Sequence, residues 1–223
     1  MARERIEKKY IIGIDEAGRG PLAGPISVGV FCAEISFFKK IKKMDIELRD
    51  SKKLSPNARD RWFSEIIKIQ RDDDAYFAQC FSSEKIIDEV NVSKAGNLAV
   101  GKAVENLFNK LDNNSSSQFV FLLDAGLKID IKNSKNIILK KVLNKSKIKS
   151  IIKGDEKESA ISLASIIAKV SRDKYMLKMA KKYPEYGFEK HKGYGTKEHI
   201  ENIKKHGASP IHRKSFLKNI KID

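Results

Sequence analysis

Four acids in this sequence stand where apolar runs end. Asp15 and Glu16 close "YIIGIDE", Asp124 closes "FVFLLD", and Asp155 follows "IKSIIKG". Gathered carboxylates repel one another and raise each other's pKa, so such a cluster calls for a cation among them. Oxygen ligands of this type suit Mg²⁺ or Mn²⁺, which also hold water and phosphate oxygens. The chemistry implied is a divalent ion held against a phosphate. Taken singly, each acid has a plainer reading: Asp15 as a turn former, Glu16 as a surface acid, Asp124 as the close of a strand, Asp155 as a helix cap. Asp173, in "KVSRD", is a rival fourth acid, but mid-helix and before Lys174 it reads as solvated or ion-paired.

Beside the first pair lies "GRGPLAG". It lacks the Gly-Lys-Ser/Thr of a P-loop, and Pro21 interrupts the glycine spacing of a dinucleotide fingerprint. Gly18 and Gly20 remove side-chain bulk where a backbone approaches something closely. Arg19 supplies a planar, permanent cation suited to phosphate.

These acids are conspicuous because the chain is strongly basic. Its 223 residues carry 45 Lys+Arg against 29 Asp+Glu, a net charge of +16. Such a surface fits a polyanion, either nucleic acid or an anionic membrane face. A basic protein that grips a polyanion needs clustered acids only where a divalent metal must be held. The two cysteines, Cys32 and Cys80, sit in apolar stretches without metal-ligand spacing and read as free thiols in a reducing compartment. No run of about 18 apolar residues appears, and "MARERIEKK" leads into no secretory core, so a cytoplasmic protein is expected.

The elements that must position the acids follow from periodicity. Residues 10–14, 26–33, 75–81 and 119–124 read as strands, and a further strand ends at Gly154-Asp155. Residues 56–70 read as a helix with Ser55 as cap and Pro56 in the first turn. Residues 94–111 repeat apolar positions at threes and fours, and 159–182 open on "AISLASIIAKV", apolar nearly all round. A last helix covers 197–206, while the Lys-rich stretch after Asp124 shows no element. This alternation predicts an α/β layered domain with a mixed sheet. Ligands in such folds gather at the carboxyl ends of strands, where three of these acid sites fall.

The ordered set "GIDEAGRGPLAGP", "DSKKLS", "IDEVNVSKAGNLAV", "LLDAG", "IKGD", "SLASIIAKVSRD", "YGFEKHKGYGTKEH" and "HGASPIHRKSF" resembles the bacterial ribonuclease HII family. The resemblance covers most of residues 11–216. It implies an RNase H-like fold, a mixed central sheet flanked by helices, with residues 1–223 as one catalytic domain. Within that domain it implies a core at about 10–185 and a small C-terminal helical segment, 186–223, that contacts substrate. The implied activity is endonucleolytic hydrolysis of RNA in RNA–DNA hybrids and 5′ of ribonucleotides embedded in duplex DNA. By motif, Asp15, Glu16, Asp124 and Asp155 look like the family's metal-binding carboxylates, holding two Mn²⁺ or Mg²⁺ ions. Gly18, Arg19 and Gly20 match the segment that reads the ribose 2′-hydroxyl through its backbone. Tyr194 looks like the tyrosine that stacks on the sugar at the DNA side of a junction. Lys52 and Lys53 would meet phosphate or serve as surface charges. The family usually has Asp-Gly where this chain has Asp124-Ala125-Gly126, and the loop to Asp155 lacks its usual prolines.

Further expectations attach to this reading. Two ions about 3.5–4 Å apart supply an activated water, charge relief and leaving-group stabilisation. Adjacent strand residues point to opposite faces, so for Asp15, bridging both ions, and Glu16 to act together the strand is expected to break there. His191 is expected to position its loop or contact phosphate; His199, His206 and His212 read as structural or surface residues. A monomer is expected, since one nuclease can grip one duplex. The rival readings are a non-catalytic basic binding module and an RNase H-like nuclease acting on DNA junctions. Neither needs a 2′-hydroxyl reader.

Overall fold

The computed structural model describes residues 8–41, 54–72, 75–111, 117–132, 134–218 and 220. Lys52 and Lys53 lie outside the described residues. Strand β1 (Lys9–Ala17) turns through the Gly18–Gly24 segment into β2 (Ile26–Glu34), which runs directly into helix α1 (Ile35–Ile41). Helix α2 (Pro56–Arg71) starts where the sequence places it, with the Ser55 hydroxyl accepting from the Ala58 N–H. Strand β3 (Ala75–Ser82) leads to α3 (Glu84–Val90) and α4 (Val92–Phe108). Asn91 joins the two helices at φ 69°, and its side chain accepts from the Ser93 and Lys94 N–H groups. That one residue ends α3 and caps α4, which is why α4 begins earlier than its apolar repeat suggests.

Strand β4 (Gln118–Asp124) is followed by α5 (Ile137–Lys145), β5 (Lys147–Ile151), the single turn α6 (Gly154–Lys157) and the long α7 (Ser159–Lys182). The Lys-rich stretch does contain a helix, α5, capped by Asn136 accepting from Leu139. Only Leu139 of α5 is buried, so its apolar pattern is too thin to read in sequence. The chain ends with α8 (Phe188–His191), α9 (Lys197–His206) and a 3₁₀ turn at Lys214–Phe216.

The five described strands form one mixed sheet in the order β3-β2-β1-β4-β5. The pairs β1/β2 and β2/β3 are antiparallel; β1/β4 and β4/β5 are parallel. One face is covered by α4, whose Ala99, Val100, Ala103 and Leu107 pack with Ile12, Val28, Phe121 and Leu123. The other is covered by α7, together with α1 and α2 around Trp62 and Phe31. An α/β sandwich of this kind buries its central helix on all sides, which accounts for the all-round apolar character of the first half of α7.

The approach of α7 to the sheet is unusually close. A Cβ on Gly13 would lie 2.1 Å from the Ala160 backbone, and one on Gly29 would lie 2.2 Å from the Ala164 carbonyl. These two glycines let the α7 backbone rest on β1 and β2, carrying its polar residues over the strand ends. A third cluster, built on Met176, Tyr186, Phe188, Ile203 and Ile211, secures the C-terminal helices to the far end of α7.

Candidate active site

Register brings the first acids together. Parallel pairing of β1 with β4 runs to Ile14 opposite Leu123, so the next step sets Asp15 level with Asp124. Asp15, Glu16 and Asp124 each offer a carboxylate oxygen, and these lie within 4.8 Å of one another. The strand does not break to allow this: β1 stays paired with β2 through Glu16 opposite Val28 and Ala17 opposite Ser27. The expected interruption is therefore corrected. Asp15 instead folds back along its own strand, its Oδ1 accepting the Glu16 N–H at 2.7 Å, and its side chain also bonds Ser165. A short side chain turned along the backbone converges with its neighbour without any change of strand geometry.

The cluster is buried and electrostatically loaded. Asp15 is only 3% exposed. Burial holds its carboxyl well above the usual range, and the charges of Glu16 and Asp124 push it further in the same direction. Burial also raises Glu16, against the opposing pull of Arg19, whose Nη1 lies 3.4 Å from Oε1. Glu16 Oε2 is buried with no hydrogen-bond partner among the described residues. Asp124 Oδ1 accepts the Gly154 N–H at 2.9 Å. An oxygen-only set with mutual repulsion and an unfilled lone pair fits a hard divalent cation.

Asp155 stands apart from these three. It is 3% exposed at the start of α6, next to the Gly154 amide that holds Asp124, but it is not among the acids whose oxygens meet within 4.8 Å. Asp173 is ion-paired to Lys169 at 2.9 Å, as its place in the helix predicts.

The acids open into a cavity of about 330 Å³. Gly18, Arg19 and Gly20 form one wall, and Tyr194 reaches in from the C-terminal segment. Gly18 adopts φ +94°, and a Cβ there would strike Arg172 Nε at 2.1 Å, so only glycine fits. Among the described residues nothing lies within 4 Å of a Cβ placed on Gly20. Arg19 bridges Glu16 and the Ser93 hydroxyl, the latter at 2.9 Å, and so borders the acids. Tyr194 is 45% exposed, its ring 5.8 Å from the Arg172 guanidinium.

Three residues lining this cavity were missed in the sequence reading: Ser165, Lys169 and Arg59. Ser165, Lys169 and Asp173 recur every four residues along α7 and share one helix face. That polar stripe in a largely apolar helix was the available signal.

Histidines anchor the Tyr194 turn from behind. His191 Nδ1 accepts the Gly193 N–H at 3.2 Å, so its Nε2 carries the proton toward the Tyr186 carbonyl. Because His212 Nδ1 accepts the Ser209 N–H at 2.9 Å, its Nε2–H donates to His199 Nε2 at 3.0 Å. His199 Nδ1–H then donates to the Tyr194 carbonyl at 2.9 Å. His191 thus positions its loop, His199 and His212 are structural, and His206 lies on the surface.

Among the described residues no helix is long and apolar enough to cross a membrane. Residues 12–219 match the family model for ribonuclease HII. The chain is 45% identical over 212 residues to the ribonuclease HII of Caldicellulosiruptor bescii, covering 95% of this chain and 88% of that one. Among solved structures it resembles the ribonuclease H2 from Pyrococcus horikoshii OT3, with 29% identity, a TM-score of 0.67, and coverage of 94% of this chain and all of the other. It shares its fold with Bst-RNase HIII, solved in complex with Mn²⁺, at 18% identity and a TM-score of 0.64, covering 91% of this chain and 64% of that one. With a match running from the first strand to the C-terminal turn, and three carboxylates meeting at the strand ends, the chain belongs to the ribonuclease HII family of RNase H nucleases.

Proposed function

We propose that this chain hydrolyses the RNA strand of RNA–DNA hybrids and cuts 5′ of ribonucleotides embedded in DNA duplexes, leaving 3′-hydroxyl and 5′-phosphate ends. The observation that carries this reading is the meeting of Asp15, Glu16 and Asp124 in a cavity that Gly18, Arg19 and Gly20 also line. The three acids would hold Mn²⁺ or Mg²⁺, with Asp155 as a fourth carboxylate serving the same reaction. When bound, two such ions supply an activated water and stabilise the charge on the phosphate and departing oxygen.

The protein's own groups do the rest. Arg19, engaged with Glu16, keeps that carboxylate in place beside Asp15. Lys169, held by Asp173 at the cavity wall, meets the phosphate charge. The Gly18–Gly20 backbone reads the 2′-hydroxyl, the group that separates RNA from DNA. Tyr194 packs on the sugar at the junction, within a C-terminal segment that contacts substrate. The excess of Lys and Arg supplies duplex affinity through counterion release, and Lys52 and Lys53 would meet phosphate.

The test is a labelled DNA duplex with one ribonucleotide, incubated with Mn²⁺ or Mg²⁺ and then with chelator. A single cut 5′ of the ribonucleotide, abolished by chelator, is expected. Tight binding without cleavage under either metal would return the chain to the non-catalytic basic module.

A further inference from the structure

Among the described residues two arginines are fully buried: Arg172 on α7 and Arg213 after α9, each 0% exposed. Their guanidinium groups are spent on backbone carbonyls. Arg213 donates to Gly18 O at 2.6 Å, Arg19 O at 2.9 Å and Gly24 O at 2.9 Å. Arg172 donates to Ala23 O, Pro25 O and Lys192 O, each at 3.0 Å. Five of these six carbonyls belong to the segment between β1 and β2, and the sixth lies two residues before Tyr194.

Burying two cations is expensive unless every donor is satisfied. Burial, aided by the neighbouring Arg172, pushes Arg213 down to about 9. A turn needing only to be compact could be closed by its own backbone bonds. What two fixed forks add is direction: they turn a run of carbonyls inward.

Direction matters because of peptide geometry. A trans peptide is planar, with its N–H opposite its C=O, and among the described residues no peptide bond is cis. The carbonyls of Gly18 and Arg19 face Arg213, so the N–H groups of Arg19 and Gly20, on those same planes, face the other way. Gly18–Gly20 line the cavity beside the acids. We propose that Arg213 is a positioning residue for ribose discrimination, aiming the Arg19 and Gly20 N–H groups at the site of the 2′-hydroxyl. Arg172 sets the spacing of this reader from Tyr194 by tying Ala23 and Pro25 to Lys192. The inference rests on the reading that the Gly18–Gly20 backbone contacts the 2′-hydroxyl.

The test compares wild type with Arg213→Lys, which keeps the charge and loses the planar three-point fork. The substrates are two otherwise identical duplexes, one with a single ribonucleotide and one with a 2′-fluoro-2′-deoxynucleotide at that position, cut in Mn²⁺. The expected result is a loss of about tenfold or more in kcat/KM on the ribonucleotide, with the 2′-fluoro rate and the Mn²⁺ affinity by calorimetry little changed. Equal losses on both substrates, or a fall in Mn²⁺ affinity, would make Arg213 merely structural and overturn the proposal. Unchanged discrimination in the variant would overturn it too, with the reader segment itself intact. Absence of discrimination in wild type would instead sink the underlying reading. Should Arg213→Lys fail to fold, amide spectra of ¹⁵N-labelled wild type decide. Arg19 and Gly20 N–H resonances shifting with the ribonucleotide duplex and not with all-DNA duplex support the proposal; no difference overturns it.

Discussion

Asp124→Asn should stabilise the metal-free protein while removing its response to metal. The three acids present oxygens within 4.8 Å of one another. At an effective dielectric of about 20, two full charges at that separation repel by about 3.5 kcal/mol. The cavity is open to solvent and Asp15 relieves part of the strain by taking up a proton more readily, so about 1–2 kcal/mol is the net gain expected from removing one charge. The amide keeps an oxygen for the Gly154 N–H that Asp124 Oδ1 now accepts. For a chain of this length about 1 kcal/mol moves Tm by about 2–4 °C, so in chelator the variant should melt about 3–6 °C above wild type. In Mn²⁺ at about 100 times the wild-type Kd, wild type should gain about 2.7 kcal/mol and the variant almost nothing. Loss of affinity should exceed the about 10–100-fold seen when a mere outer partner of a metal ligand is removed. Scanning calorimetry with chelator and with Mn²⁺ reads both arms, and cleavage of the one-ribonucleotide duplex reads the third. A variant that melts lower than wild type in chelator, yet gains as much from Mn²⁺, would refute the idea that these carboxylates are held together for a cation.

The histidine chain predicts acid lability. Burial pushes His199 and His212 down to about 4, against about 6.5 unfolded. Between those values the unfolded chain binds more protons, so the contribution is fully present above about pH 6.5 and is lost as pH falls toward about 4, by about 2–4 kcal/mol after allowance for screening. Urea unfolding across that window should show the slope, and His199→Asn, which can keep a donor to Tyr194, should flatten part of it; an unchanged slope would contradict the tautomer chain. Gly13→Ala, whose Cβ would lie 2.1 Å from the Ala160 backbone, should cost about 3 kcal/mol or more, whereas Gly20→Ala, with no described residue within 4 Å of its Cβ, should leave the midpoint nearly unmoved. Equal midpoints for the two variants would mean that α7 is not seated on β1. Tyr194→Ala should lower kcat/KM at DNA–RNA junctions by about tenfold and leave Mn²⁺ affinity by calorimetry unchanged; equal loss of both would show Tyr194 misassigned.

Local pattern alone determined much of this protein. Short apolar runs ended by a glycine, a serine or an acid mark β1, β2, β3 and β4, and the limits of α7 and α9 match the sequence reading residue for residue. The acids Asp15, Glu16 and Asp124 were legible because a charge at the end of a buried strand is an exception to local hydrophobic logic, and exceptions show in a single chain. α1, α3 and α5 were not legible, since each is short and buries only one or two side chains. What only tertiary structure decided is which groups meet. The parallel register of β1 on β4 set Asp15 beside Asp124 and left Asp155 outside the trio. The same assembly turned Arg172 and Arg213, in sequence two basic residues among 45, into buried clamps on carbonyls 147 to 195 positions away. Periodicity reports which face of an element is apolar. It carries no record of which distant carbonyls will satisfy a buried cation, because that is settled only when the segments pack.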